Sequence, residues 1–446
     1  MSRTSGDLSP KLSLASVVTF GLAYMAPSLV MVLFGVIAAA GAGTAPTAFL
    51  VATAAMCLTA LSYAKMARHF PVSGSAYGYV REVAGGRAGF LVGWLVLLDY
   101  LFLPMVAWLV QSVYLNAQFP HIPVWAWMLL NAGLTTLVNI IGVSLADRVN
   151  KLLTALAVLL VLLFVAYCLV HLADSRPRSY TEPLWNADSG LAGISAAAAV
   201  AAYSYLGFDA VTTLSEETRD ARRTIPRAVV LVVGIGGLFF AVVAYIMQLV
   251  HPGGDFADPD IAGYTLSVQV GGQAFADWTN MASIVGGFAS GLAVQLSSSR
   301  LLYSMGRDGV LPRRVFGTLH PRTQTPVLSL LVTGAMCLTG LNIDLQTATS
   351  FINFGAFTAF TAVNVCVVLF YVRNRPTDGG GILGYVVTPT LGACVTAYLI
   401  TQLSADALTI GLVWLTAGCG YLLRLTRGFR RPTPELNLSD EHAPAP

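Results

Sequence analysis

Long apolar runs alternate with short polar or charged loops along nearly the whole chain. Most are close to the 20 or so residues that a helix needs to cross a hydrocarbon core. In the first half they cover about 12–40, 46–63, 90–119, 124–145 and 152–172, with a sixth entered at about 191. In the second half they cover about 228–250, 275–305, 325–341, 347–372, 383–403 and 408–425. The pattern predicts an all-α polytopic membrane protein of twelve transmembrane helices. It leaves an N-terminal tail at 1–11 and, at 426–446, a tail without apolar periodicity that reads as disordered.

Two of these runs are interrupted. Pro27 lies in the middle of the first and removes a backbone donor, so that helix is expected to break near residues 24–28. In the sixth, Gly207 lies just before Asp209, which puts a carboxylate at membrane depth beside the residue where the helix is expected to break. Broken helices are the device by which transporters build a site at the midplane. The breaks fall in the first and sixth runs, five apart, and an odd spacing gives the two halves opposite orientation. That predicts an inverted repeat of five spans plus five, with repeat one over about 12–172 and repeat two over about 191–372. Two extra helices at about 383–425 complete the transporter domain of 12–425.

Composition supports the membrane reading: 56% of residues are hydrophobic and only 11% are charged, against roughly 25% charged in a soluble domain. The net charge of +3 says nothing about nucleic acid. Its distribution is more informative, because 23 of the 25 Lys and Arg fall on one side of the expected spans and only Arg176 and Arg178 on the other. The positive-inside rule then makes both termini cytoplasmic. The basic residues ahead of the first run resemble a signal peptide, but that run is too long for a cleaved apolar region. Six cysteines lie in or beside apolar runs without a CxxC pair, as packing residues do.

Asp209 and Asp99 are the acids placed well inside spans, and no Lys or Arg lies at similar depth to neutralise them. A bound cation or a proton is the natural partner, so both are candidates for proton coupling and for meeting a substrate amine. Tyr24, Tyr100, Tyr205 and Phe208 cluster near these acids, and aromatic rings hold ammonium groups by cation–π contact. Together with Gly207 they form the expected substrate site. Glu216 and Glu217 read as a cytoplasmic gate or loop network. No metal-ligand spacing, phosphate loop or serine–histidine–acid pattern is present, which argues against an enzyme and against a cofactor.

At these residues the chain resembles the amino acid–polyamine–organocation superfamily, which has the leucine-transporter fold. The resemblance is carried by FPVSGSAYGYV, LGFDAVTTLSEETRDARRTIPRA and SRLLYSMGRDGVLP…HPRTQTP, and it extends from about 11 to 425. GLAYMAP, GWLVLLDYLFLPM and INFGAFTAFTAVN are most similar to bacterial putrescine importers. The resemblance implies proton-driven import of putrescine or a similar diamine across a bacterial cytoplasmic membrane. It implies that Asp209 meets a substrate amine and that Asp99 and Tyr100 handle substrate or proton. Many proton-coupled carriers of this group have a lysine in the fifth helix that substitutes for sodium; here that position is Leu156. The alternatives are an amino acid or a monoamine such as ethanolamine as substrate, sodium as the coupling ion, and, outside transport, a transporter-like sensor. The expected partners are the amine, protons and the lipid bilayer, with no required protein partner.

Overall fold

The computed structural model describes residues 12–430 apart from 72–74, 142–145, 176, 178, 308–310, 321–324, 344 and 377–380. Both expected tails therefore lie largely outside the described residues.

The first run is two helices. Helices α1 (Leu14–Tyr24) and α2 (Leu29–Ala40) meet at a bend of 49°. Between them Ala26 is left-handed, with φ of 46°, and Pro27 supplies no amide to continue the ladder. Next come α3 (Ala45–His69), α4 (Ser75–Ala84), α5 (Gly86–Gln118), α6 (Val124–Ile141) and α7 (Ala146–Ser175). The sixth run starts as α8 (Leu191–Ala201) and tightens into a 3-10 turn at Ala202–Tyr205. It opens at Gly207, whose φ is +101°, and resumes as a 3-10 helix over Asp209–Glu217. Thr212 and Ser215 hydroxyls bond back to the carbonyls of Asp209 (2.6 Å) and Thr212 (2.5 Å), which favours this tighter winding.

The second half runs through α9 (Ala221–Val250), α10 (Ala262–Arg307), α11 (Arg313–Phe316) and α12 (Val327–Ala335), the last prolonged by a 3-10 segment, Met336–Asn342. Then follow α13 (Leu345–Asn374), a π-helical turn at Leu383–Val387, α14 (Thr388–Thr401) and α15 (Ala405–Leu425). Nine helical stretches among the described residues are long and apolar enough to cross a membrane, and the bent α1–α2 pair makes a tenth. The other two expected spans fall on α10 and on the shorter apolar stretch Val327–Leu341. α10 begins well before its expected start near 275, because a short leading helix joins the long one at Gly272, with φ of +77°. The loop expected after α3 contains α4, whose Ala76, Tyr77, Val80 and Val83 are buried.

The core sits around α8, the most buried of the nine stretches. α3 packs extensively on α9, and α5 lies against α10 and α13. Close approaches need glycine: a Cβ on Gly21 would stand 2.6 Å from Val232 of α9 and 2.8 Å from Val211. The last helix is tied to α5 by a reciprocal pair. Trp94 Nε1 donates to the Trp414 carbonyl (3.0 Å), Trp414 Nε1 donates to the Trp94 carbonyl (2.9 Å), and the rings stack at 5.0 Å.

Candidate functional site

The two breaks touch. A Cβ on Gly207 would run into the ring of Tyr24, so the glycine is required both by its left-handed backbone and by that ring. Tyr24 closes α1, and Gly207 closes the first half of the sixth run, so this contact fixes one broken helix against the other.

Asp209 opens the 3-10 stretch just past the break. Its Oδ2 accepts from the Ser75 hydroxyl at 3.1 Å, and the backbone amides of Gly207, Asp209 and Ala210 also serve the carboxylate. Ser75 is the first residue of α4 and itself has a left-handed φ of 44°. Asp99 comes from the middle of α5; its Oδ1 is buried and has no hydrogen-bond partner among the described residues. The two carboxylates interact electrostatically with each other, and both with Tyr24 and Tyr100. Among the described residues neither is in an ion pair; the pair recorded is Arg223–Asp220 at the surface. No cluster of three or more His, Cys, Asp or Glu that could hold a metal is found among the described residues.

The backbone beside Asp99 is specially supported. Pro104 lies inside α5, so the carbonyl one turn earlier, that of Tyr100, loses its helical donor. The Ser298 hydroxyl of α10 donates to that carbonyl instead. In lipid such a repair is obligatory, because no water reaches the freed group.

The expected site residues divide into two sets. Asp209, Asp99, Tyr100, Gly207 and Tyr24 come together. Tyr205 turns away: its hydroxyl bonds Thr53 Oγ1 (2.6 Å) and the Phe49 carbonyl (3.2 Å) of α3. Phe208 is fully buried between Tyr63 (5.5 Å) and Phe360 (5.0 Å), inside the core. The side chains of Glu216 and Glu217 lie outside the described residues. Sequence reasoning missed Ser75 and Ser298. Only Pro104 gave a signal, since an interior proline calls for a donor from elsewhere.

A cavity of about 100 Å³ adjoins the breaks. It is lined by Tyr24, Tyr203 and Leu206, by residues of α5 from Leu103 to Tyr114 and by residues of α10 from Asn280 to Val294. Neither acid lines it. Asp99 lies about one helical turn below Leu103, roughly 6 Å along the axis. Tyr24, which lines the cavity, also interacts with both carboxylates.

This is a polytopic helical bundle with touching broken helices and two buried acids that have no ion-pair partner among the described residues. Comparison with known protein families matches residues 13–416 to amino acid permeases. The chain belongs to the amino acid permease family. The permease is 36% identical, over 435 residues and 96% of both chains, to the low-affinity putrescine importer PlaP of Escherichia coli K12. It is 27% identical over 442 residues, 93% of both chains, to the branched-chain amino acid permease BcaP of Bacillus subtilis. It is 30% identical over 395 residues to cationic amino acid transporter 4 of Mus musculus, covering 82% of the permease and 61% of that protein. The permease is therefore a multi-pass membrane transporter whose family and relatives are transporters rather than enzymes.

Proposed function

We propose that the permease imports putrescine or a similar short diamine, driven by the proton gradient. The observation that carries this reading is the pair Asp99 and Asp209, two mutually interacting carboxylates without an ion-pair partner among the described residues, beside the rings of Tyr24 and Tyr100. Two carboxylates suit a dication, and either can exchange its amine for a proton. The similarity to a putrescine importer supports the same substrate class.

In this reading Asp209 meets one ammonium group and Asp99 meets the other or carries the proton. Tyr24 and Tyr100 contribute their ring faces, with Gly207 letting the breaks approach; Tyr205 and Phe208 support the site from the core. The chain forms two five-span repeats of opposite orientation plus α14 and α15, twelve spans in the leucine-transporter arrangement. One bundle rocks against the rest. The basic side of the spans, both termini and the Glu216–Glu217 gate face the cytoplasm of a bacterial cell, no protein partner being needed.

The test is labelled putrescine uptake into proteoliposomes under an imposed pH gradient, with and without sodium. Uptake should follow the pH gradient and ignore sodium, and Asp209→Asn should abolish it while membrane expression persists. Uptake by Asp209→Asn near the wild-type level would remove that residue's role. An amino acid substrate is the second reading, favoured by the similarity to BcaP and cationic amino acid transporter 4. Competition by unlabelled amines and amino acids separates the two.

A further inference from the structure

We propose that the hydroxyls of Tyr63 and Tyr79 form a relay that carries the Asp209 proton away through Ser75, along a path outside the cavity. This deepens the proton-coupled reading and rests on it.

Asp209 Oδ2 accepts from the Ser75 hydroxyl (3.1 Å), and the Thr212 hydroxyl bonds the Asp209 carbonyl (2.6 Å). Beside them stand two phenols, Tyr63 of α3 and Tyr79 of α4, both 0% exposed. Their rings meet edge to face at 5.9 Å. Tyr63 interacts with Ser75, Asp209, Tyr79 and Tyr100, and Tyr79 interacts with Thr212 and Asp209. Neither phenol closes a hydrogen bond among the described residues. Leaving a buried hydroxyl unpaired is costly, so two such groups gathered at one carboxylate call for a role beyond packing. None of Ser75, Tyr63, Tyr79 and Thr212 lines the cavity.

A hydroxyl both donates and accepts, so it passes a proton on without ending up charged. The Asp209 carboxyl gives its proton to Ser75 Oγ, Ser75 gives its own to Tyr63 Oη, and Tyr63 gives its own to Tyr79 Oη. Tyr79 then releases its original proton to solvent water. Each hydroxyl loses one proton and gains one, which leaves only the Asp209 carboxylate and the released proton. Ser75 and Tyr79 both ride on α4, which packs against the 3-10 stretch that carries Asp209. A movement of α4 therefore makes or breaks both ends of the chain together and admits water to Tyr79. With the phenols unbonded the chain is open in this conformation, which stops a proton from leaking past an idle carrier.

The experiment compares two activities of the permease in proteoliposomes. One is net putrescine uptake under a pH gradient; the other is counterflow of labelled against unlabelled putrescine at equal pH. Net uptake must release the proton on every cycle, whereas counterflow returns the carrier loaded and need not. Tyr63→Phe and Tyr79→Phe keep the rings and remove the oxygens. Each should lower net uptake about tenfold, about 1.4 kcal/mol in the limiting step, and leave counterflow near the wild-type rate. The two variants are measured singly as well as together, so misfolding of one leaves the other to decide. Parallel loss of both activities would mean that the hydroxyls only support packing. Undiminished net uptake in Tyr63→Phe/Tyr79→Phe would mean that the proton bypasses them. Either result overturns the relay alone. Wild-type putrescine uptake that ignores the pH gradient overturns the relay together with the proton-coupled reading.

Discussion

Gly207→Ala tests whether the two broken helices really brace each other. At a φ of +101° an L side chain is strained, at about 1–2 kcal/mol. The new Cβ would also meet the Tyr24 ring, and overpacking of this kind costs about 1–3 kcal/mol. The two costs together come to about 2–5 kcal/mol, enough to cut the folded population severely in a marginal protein. Thermal denaturation of purified protein, followed by size-exclusion recovery, reads this loss, and putrescine uptake reads its functional consequence. A Tyr24→Ala background separates the terms, since it removes the ring and leaves only the backbone cost. Gly207→Ala should therefore cost about 1–3 kcal/mol less in Tyr24→Ala than in the wild type. Equal costs in both backgrounds would refute the contact between the breaks.

Ser75→Ala removes the hydroxyl that donates to Asp209, a charge-assisted bond of about 1.5–3 kcal/mol; uptake should fall at least severalfold (about 0.6 kcal/mol or more), while Ser75→Asn, which keeps a donor and tolerates the left-handed φ, retains more of it. Wild-type uptake by Ser75→Ala would show that the bond does not position the acid. Ser298→Ala strands the Tyr100 carbonyl opposite Pro104 and should destabilise by about 1–3 kcal/mol. Pro104→Ala in the same chain should restore much of that stability by returning the helical donor; a melting temperature unmoved by either change would sink the repair argument. Trp94→Phe loses one of the two indole bonds to α15 and should lower stability by about 0.5–1.5 kcal/mol with KM unchanged. A shift in KM without a change in melting would mean that the pair acts on the site and not on the packing.

Much of this architecture was legible because lipid forces the sequence to be simple. A span must be apolar, and a break must show as a proline or a glycine. Pro27 and Gly207 marked both interruptions, and non-helical backbone occurs at each. The acids were legible for the same reason, since little else in a span is charged. α4 was hidden by its glycine and charges, and its buried positions, Ala76 to Val80 and Val83, do not follow the spacing of one helical face. The 3-10 winding after Gly207 was hidden because it depends on hydroxyls bonding back to particular carbonyls. Ser75 and Ser298 could not be found from the sequence, as their partners lie 134 and 198 residues away. Tyr205 and Phe208 sit next to the site in sequence, yet a tight helix turns consecutive side chains in different directions, and these two face the core.

The Trp94–Trp414 pair has a consequence for the order in which the molecule is assembled. Its two halves are separated by 320 residues. At roughly 5–20 residues per second of synthesis, the first indole waits about 16–64 s for its acceptor. During that interval the Trp94 indole of α5 lacks the acceptor that the final helix supplies. Biogenesis must therefore shelter that indole, in the insertion machinery or against lipid headgroups, until the last segment arrives. A ribosome stalled before α15 emerges would leave an otherwise complete chain exposed to quality control.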